Sequence, residues 1–330
     1  MRIGVDALGG DFAPEEPVKG VLAARGLLGP DDRIVLIGDE PVLRQRLARE
    51  AGWEDFIELN HAPDVVGMDE APVEALRKKP NSSIVRMAEL AAGKAVDAIV
   101  SAGNTGACVA ACQMRLRRLA GAQRPGIAIV IPTYDGPVVM CDVGANVKCR
   151  PMHLYQYGIM ASEYSQRICG IEKPRVGLLS IGEEDAKGNQ LVKETRAIMK
   201  EDPSLHFMGN VEGRDIFRGV CDVVITDGFV GNVCLKLMEG LAEGLFKTLA
   251  KEFASNQGAM VGLVDMRNRF DFNRYGGAPL LGVNGHCIIC HGASQALGLT
   301  NAVRVAMDFV KTRINDHIVE RFARSQGPAA

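Results

Sequence analysis

The stretch Ile99-Val-Ser101-Ala-Gly103-Asn104-Thr105-Gly106-Ala decides the fold class. It opens on a short apolar run without polar alternation, the pattern of a strand buried on both faces of a parallel sheet. Small and amide residues follow, and then a helix-compatible run. A strand that turns at once into a helix is the repeating step of an α/β protein. Three more stretches share this grammar: Val5-Asp6-Ala-Leu-Gly9-Gly10-Asp11, Asp142-Val-Gly144-Ala-Asn146 and Ile225-Thr-Asp227-Gly228-Phe-Val-Gly231-Asn232-Val. In a parallel sheet the C-terminal strand ends gather on one edge, where ligands bind. Free N–H groups at a helix start attract anions. Glycine lets the backbone close in, and Asn or Thr adds neutral hydrogen bonds. One such loop reads equally well as a helix cap or a turn; four in one chain point to a phosphate or oxyanion site.

Outward from these loops, strands are expected at Ile3–Asp6, Ile34–Ile37, Ile57–Asn60, Ala98–Ser101, Ile127–Ile131, Val138–Asp142, Val176–Ser180, Val223–Thr226 and Cys287–Cys290. Helices are expected at Pro41–Ala51, Ser82–Ala92 with Gly93 as a stop signal, Met152–Gly170, Val192–Lys200 and Val230–Ala254. Gln295–Arg324 reads as two helices broken near Thr300. The alternation predicts a three-layer α/β/α sandwich with a mostly parallel sheet. No fixed-period repeat and no Pro/Ser-rich linker divides the chain, so residues 1–330 are expected to form one domain. Ser255–Val264, between a long helix and the charged segment Asp265–Arg274, suggests a helical hairpin over about 230–275 with an apolar tip.

Composition narrows the function classes. Glycine is 37 of 330 residues, about 11% against a usual ~7%, in keeping with many tight strand ends. A net charge of −2 and 5% aromatics argue against a nucleic-acid binder. The cluster Arg115, Arg117, Arg118 reads as a solvated helix end, or as a contact for an acidic protein. Met1–Asp6 reads as a strand and not as a signal peptide. With no apolar run of 18 residues and nine cysteines expected to be reduced, a cytoplasmic location is expected. The phosphate-loop G-x-x-x-x-G-K-[ST], the dinucleotide G-x-G-x-x-G after a strand and the nucleophile elbow G-x-S-x-G are all missing. Cys287-Ile-Ile-Cys290-His291 has haem-attachment spacing, but it lies in an apolar strand and reads as core. Cys108 and Cys112 read the same way, and no second Cys/His pair completes a zinc set. No metal is expected.

Among polar candidates, His291 stands where a strand meets a helix. It suits a proton donor to a leaving thiolate, a phosphate ligand, or a structural histidine bonded to backbone. Lys187, in Ser180-Ile-Gly-Glu183-Glu-Asp-Ala-Lys187-Gly188-Asn189, is either a surface lysine or a ligand group. Lys236 lies one turn beyond Asn232. Asp6, Asp11, Asp142 and Asp227 suit helix caps, partners for these cations, or metal ligands, and capping is expected for at least two of them.

Read in order, the loops resemble the bacterial phosphate acyltransferase family. The resemblance covers almost the whole chain. It runs through Asp6-Ala-Leu-Gly-Gly-Asp11, Ser101-Ala-Gly-Asn-Thr-Gly106, Asp142-Val-Gly-Ala-Asn146, Ser180-Ile-Gly-Glu-Glu184 and Lys187-Gly-Asn189. It continues through Glu212-Gly-Arg214, Asp227-Gly-Phe-Val-Gly-Asn232, Gly277-Ala-Pro-Leu-Leu-Gly282, Asn284-Gly285 and His291-Gly292. The cysteines at 287 and 290 lie outside the pattern. The resemblance implies an isocitrate-dehydrogenase-like or phosphotransacetylase-like fold, a homodimer and no organic cofactor. It implies transfer of a fatty acyl group from an acyl carrier protein thioester to inorganic phosphate. The acyl phosphate would pass to a membrane glycerol-3-phosphate acyltransferase in phospholipid synthesis.

On that reading, Asp6, Gly9, Gly10, Ser101, Asn104, Thr105, Asp142 and Asn146 are expected to bind phosphate or thioester, with Asn104 and Thr105 on the phosphate. Asn232 and its helix start are expected to serve the thioester oxygen, Lys187 or Lys236 to balance charge, Asp227 to orient them, and His291 to protonate the thiol. Met260, Val261, Leu263 and Val264 are expected either to dip into a membrane surface or to be buried in the dimer. The competing readings are a phosphotransacetylase acting on short acyl-CoA, a metal- and NAD-dependent decarboxylating dehydrogenase, and a membrane-surface scaffold.

Overall fold

The computed structural model describes residues 1–270 and 272–325. In chain order the elements are β1 (Arg2–Asp6), α1 (Glu15–Ala23), β2 (Arg33–Gly38), α2 (Glu40–Leu47), β3 (Ile57–His61), α3 (Pro72–Lys78), α4 (Ser83–Ala92), β4 (Ala98–Ser101) and α5 (Thr105–Arg115). They continue with β5 (Gly126–Thr133), β6 (Gly136–Cys141), α6 (Pro151–Arg167), β7 (Val176–Leu179), α7 (Gln190–Lys200), β8 (Phe207–Val211) and β9 (Val223–Ile225). The last are α8 (Gly228–Glu252), α9 (Gln257–Arg269), β10 (Ala278–Leu281), β11 (Cys287–Ile289), α10 (Ala296–Thr312) and α11 (Ile314–Arg324).

These elements form two compact units. One holds Met1–Pro125 with Tyr275–Phe322; the other holds Gly126–Arg274 with the short tail that begins at Ala323. In the first unit the strands run in the order β3-β2-β1-β4-β11-β10, parallel except for the β10–β11 pair. Every residue of β4 is buried, as its unbroken apolar run requires. Helices α1 and α10 pack on one another, as do α4 and α5, and α10 and α4 both lie against β1 and β4. Fully buried Ile3, Ile34, Leu36 and Ile99 centre this core, each contributing about 1.5–3 kcal/mol of burial.

In the second unit the order is β5-β6-β9-β7-β8, with β5 antiparallel to β6 and the rest parallel. Helix α6 covers β6 and β9 and packs on α7. The α/β/α class is as read from the alternation, and all nine expected strands are present within a residue or two.

Three departures have local causes. Strands β8 and β10 were not expected. The first carries Gly209 at φ +100° and pairs with β7 across a register shift, while β10 contains Pro279; neither reads as a regular strand. The break between α10 and α11 falls at Arg313, in the left-handed region at φ +51°, and not near Thr300. The Thr300 hydroxyl donates 2.8 Å to Ala296 O and 2.9 Å to Gly20 O, so the helix runs on through it. The hairpin is present as α8 and α9, but its turn is at residues 253–256, with Asn256 capping α9. The apolar residues expected at the tip lie along α9. Val261 and Val264 are exposed, whereas Leu263 is buried and cannot dip into a membrane in this conformation. Among the described residues no helix is long and apolar enough to cross a membrane.

Candidate active site

In the first unit the C-terminal ends of β1, β4 and β11 lie side by side, because β4 pairs in parallel with both neighbours. Asp6 closes β1 and is buried. Its Oδ2 accepts the Ser101 hydroxyl at 2.7 Å and its Oδ1 accepts Leu8 N–H at 3.0 Å. Burial pushes this carboxyl up, against the hydrogen bonds from Ser101 and Ser83. Ser101 Oγ in turn accepts Gly103 N–H at 3.0 Å and the Cys108 thiol at 3.3 Å. Asp6 and Ser101 therefore hold the two loops in shape. Gly9 is required here, since a Cβ would stand 2.5 Å from Gly103 N. Gly10 adopts φ +103°, and Asp11 N–H donates to Gly292 O at 2.8 Å, tying the β1 loop to the loop after β11.

Asn104 caps α5, its Oδ1 accepting Ala107 N–H at 3.0 Å. Its Nδ2 reaches the carbonyls of Gly67, Met68 and Glu70 at 3.0–3.1 Å. Both ends of the amide are thus committed, so Asn104 shapes the site and does not present a free group to phosphate. The exposed Thr105 hydroxyl remains, together with the first N–H groups of α5, which no intrahelical carbonyl can satisfy. No acidic side chain lies in that first turn, so its partial positive charge is uncompensated. His291 is exposed at the end of β11. Its Nδ1 accepts Ala293 N–H at 3.1 Å, which places the ring proton on Nε2. A ring held this way donates from Nε2.

In the second unit β6 and β9 end together. Asp142 is fully buried and accepts five hydrogen bonds. Its Oδ1 takes the N–H groups of Ile127, Gly144 and Ala145 at 2.9–3.1 Å. Its Oδ2 takes Asn146 N–H at 2.8 Å and Asn146 Nδ2 at 3.3 Å. Burial raises this carboxyl too, and the N–H donors oppose that, since all fit the ionised form. Asn146 also donates to the Tyr157 hydroxyl at 2.9 Å, and its carbonyl accepts Gly228 N–H at 2.9 Å. Gly231 has no alternative, because a Cβ there would collide with the Asp142 carbonyl.

The start of α8 differs from that of α5. Asp227 Oδ1 accepts Phe229 and Val230 N–H, both at 3.0 Å, and Asp227 O accepts Gly231 N–H at 2.9 Å. With Gly228 N–H on Asn146, this helix end has no donor left and carries its own anion. It does not suit an oxyanion, contrary to the expectation for this helix start. The Asn232 side chain is different. It is half-buried, lies about 3.8 Å from where a Cβ on Gly144 would sit, and makes no hydrogen bond among the described residues. Lys236 is exposed one turn further along α8, and Lys187 is exposed in the loop after β7, where Asn189 caps α7.

All nine cysteines are free. Burial pushes the Cys290 thiol up to about 12 and Cys287 is raised as well, as core cysteines should be.

A sequence profile described as "Fatty acid synthesis protein" matches residues 1–317. A curated phosphate acyltransferase from Trichlorobacter lovleyi is 46% identical over 334 residues, covering 99% of this chain and 96% of its own. The chain belongs to the phosphate acyltransferase family. Solved structures agree on the fold of this family member. A phosphotransacetylase from Streptococcus pyogenes superposes with a TM-score of 0.59 at 16% identity, over 98% of this chain and 94% of its own. A 4-hydroxythreonine-4-phosphate dehydrogenase from Klebsiella pneumoniae gives 0.55 at 16%, over 94% and 98%. Transferases and dehydrogenases share this architecture, so the fold alone does not select the chemistry.

For this family member the sequence reading left one segment unread. Gly67-Met-Asp-Glu70-Ala-Pro72 arches over the start of α5, held by Asn104 and by a contact of Pro72 with Gly106, where a Cβ would stand 2.6 Å from Pro72 Cγ. Glu70 Oε2 accepts Gly67 N–H at 2.7 Å and pairs with Lys79 at 2.5 Å, closing the arch on itself. Its sequence signal was a Gly- and Pro-bounded loop.

Proposed function

We propose that this chain transfers a fatty acyl group from an acyl carrier protein thioester to inorganic phosphate, yielding acyl phosphate for phospholipid synthesis. Membership of the phosphate acyltransferase family makes it an acyltransferase, and the near-full-length match is the observation that carries the reading. Further parts of the proposal are the carrier protein as donor, delivery to a membrane glycerol-3-phosphate acyltransferase, a homodimer, and a cytoplasmic location with peripheral membrane contact through Met260, Val261 and Val264.

The chemistry asks little of the protein in proton transfer. Hydrogen phosphate dianion attacks the thioester carbonyl through an unprotonated oxygen. The O–C bond forms, the C–S bond breaks, and the thiolate takes the proton that phosphate brought. A thiol with a pKa near ~8.5 is a good leaving group without a strong acid. Positioning is worth about 7–11 kcal/mol. We assign phosphate to the start of α5, through Thr105 and the first backbone N–H groups. The loops shaped by Asp6, Gly9, Gly10, Ser101 and Asn104 support it, and His291 Nε2–H adds a donor. Lys187 and Lys236 are the cations assigned to charge balance.

Asn232, whose amide is uncommitted, is assigned as donor to the developing carbonyl oxyanion, in the loop framework of Asp142 and Asn146. Asn232→Ala is expected to lower kcat by about 10²–10³-fold with little change in KM or thermal stability, as loss of one oxyanion donor does. Wild-type turnover in that variant would remove Asn232 from the reaction. Donor identity is tested by supplying acyl carrier protein and CoA thioesters side by side. A kcat/KM higher for CoA would replace the carrier-protein assignment.

A further inference from the structure

Met68 is a partly exposed apolar side chain on an arch tied down by hydrogen bonds. It is exposed, with Val65 exposed and Val66 buried beside it. The backbone that carries it is gripped by the buried Asn104 amide at three carbonyls, one of them Met68's own. Lys79 Nζ adds a bond to Val65 O at 2.7 Å. The far end of Met68 turns toward the loop after β11, since a Cβ on Gly292 would stand 2.8 Å from Met68 Cε. Gly292 follows His291 directly, and its carbonyl holds the β1 loop through Asp11 N–H. Met68 therefore lies against backbone of the strand-end rim, one residue from the proposed Nε2–H donor. A rigid mount for an exposed thioether makes sense if something apolar rests on it beside the reacting groups.

We infer that Met68, mounted on the arch 64–72, is a resting surface for the acyl chain beyond its first few carbons and sets preference for long-chain donors. This rests on the acyl-transfer reading above. Met is suited to the task, being unbranched and polarizable and able to follow a flexible chain. Asn104 is then a positioning residue, acting through the arch and not on the reacting atoms.

The test compares Met68→Gln with wild type and with Met68→Leu, using butyryl, octanoyl and palmitoyl thioesters of acyl carrier protein and scoring acyl phosphate. Met68→Gln keeps length and shape but offers a polar end, and position 68 is exposed, so folding should survive; a thermal melt checks this. The expected result is a KM for the palmitoyl donor raised roughly tenfold, the range for losing one apolar contact in a specificity site. The butyryl KM and all kcat values should stay within about twofold on the same basis, and Met68→Leu should restore the palmitoyl KM. An unchanged palmitoyl KM, or equal rises for butyryl and palmitoyl donors, would overturn the assignment while leaving acyl transfer intact. A wild type that makes no acyl phosphate from any donor would overturn the function itself, and this assignment with it.

Discussion

Asp142→Ala is expected to cost about 3 kcal/mol or more of stability and to lower acyl phosphate formation by at least ~10²-fold. The carboxylate is the common acceptor for Ile127, Gly144, Ala145 and both nitrogens of Asn146. Its removal leaves several N–H donors in a buried setting, where each unpaired group costs about 1–3 kcal/mol. The loop that loses its shape is the one beside which the Asn232 amide lies. Asp142→Asn should be milder in stability, because one oxygen can keep the Ile127, Gly144 and Ala145 bonds. Its new NH2 would face the two Asn146 donors, so activity should still fall. Urea unfolding with the acyl phosphate assay measures both effects. Wild-type stability in Asp142→Ala would show that the five bonds are not what orders this loop.

Asn104→Ala is expected to produce the second large effect, through two separable bonds sets. Loss of the cap costs about 1 kcal/mol, and release of the three arch carbonyls adds roughly 1–2 kcal/mol. Asn104→Asp separates them. It keeps a capping oxygen for Ala107 N–H but sets an acceptor against the carbonyls of Gly67, Met68 and Glu70. If Asn104 works through the arch, both variants should lose about 10²-fold in activity. Amide hydrogen exchange should quicken at residues 64–72 in both, while the first turn of α5 is protected in Asn104→Asp only. If Asn104 instead bound phosphate directly, phosphate KM would rise with no change in exchange across the arch.

The strand ends were legible because their chemistry is local. An unbroken apolar run, then Gly, Asn or Thr, then a helix fixes a parallel α/β step without reference to the rest of the chain. That is why β1, β4, β6 and β9 fall where their residues place them. What was not legible depends on partners distant in sequence. Asn104 reads as a cap or a ligand, and only the carbonyls of residues 67–70, more than thirty positions earlier, show that its side-chain nitrogen is taken. Asp227 reads as a site acid, yet it satisfies the helix start that was assigned to an oxyanion. His291 carried three readings, and the backbone N–H two residues on that fixes which ring nitrogen accepts is visible only in the folded loop. Leu263 and Val264 are neighbouring aliphatic residues of α9, and the fold buries only the first.

The most direct test of phosphate as the reacting nucleophile is incubation of an acyl carrier protein thioester with radiolabelled inorganic phosphate. A labelled product is then sought that hydroxylamine destroys. The account predicts labelled acyl phosphate in one-to-one proportion to thioester lost, and no loss when phosphate is left out. Thioester loss that proceeds without phosphate and yields free fatty acid would contradict it.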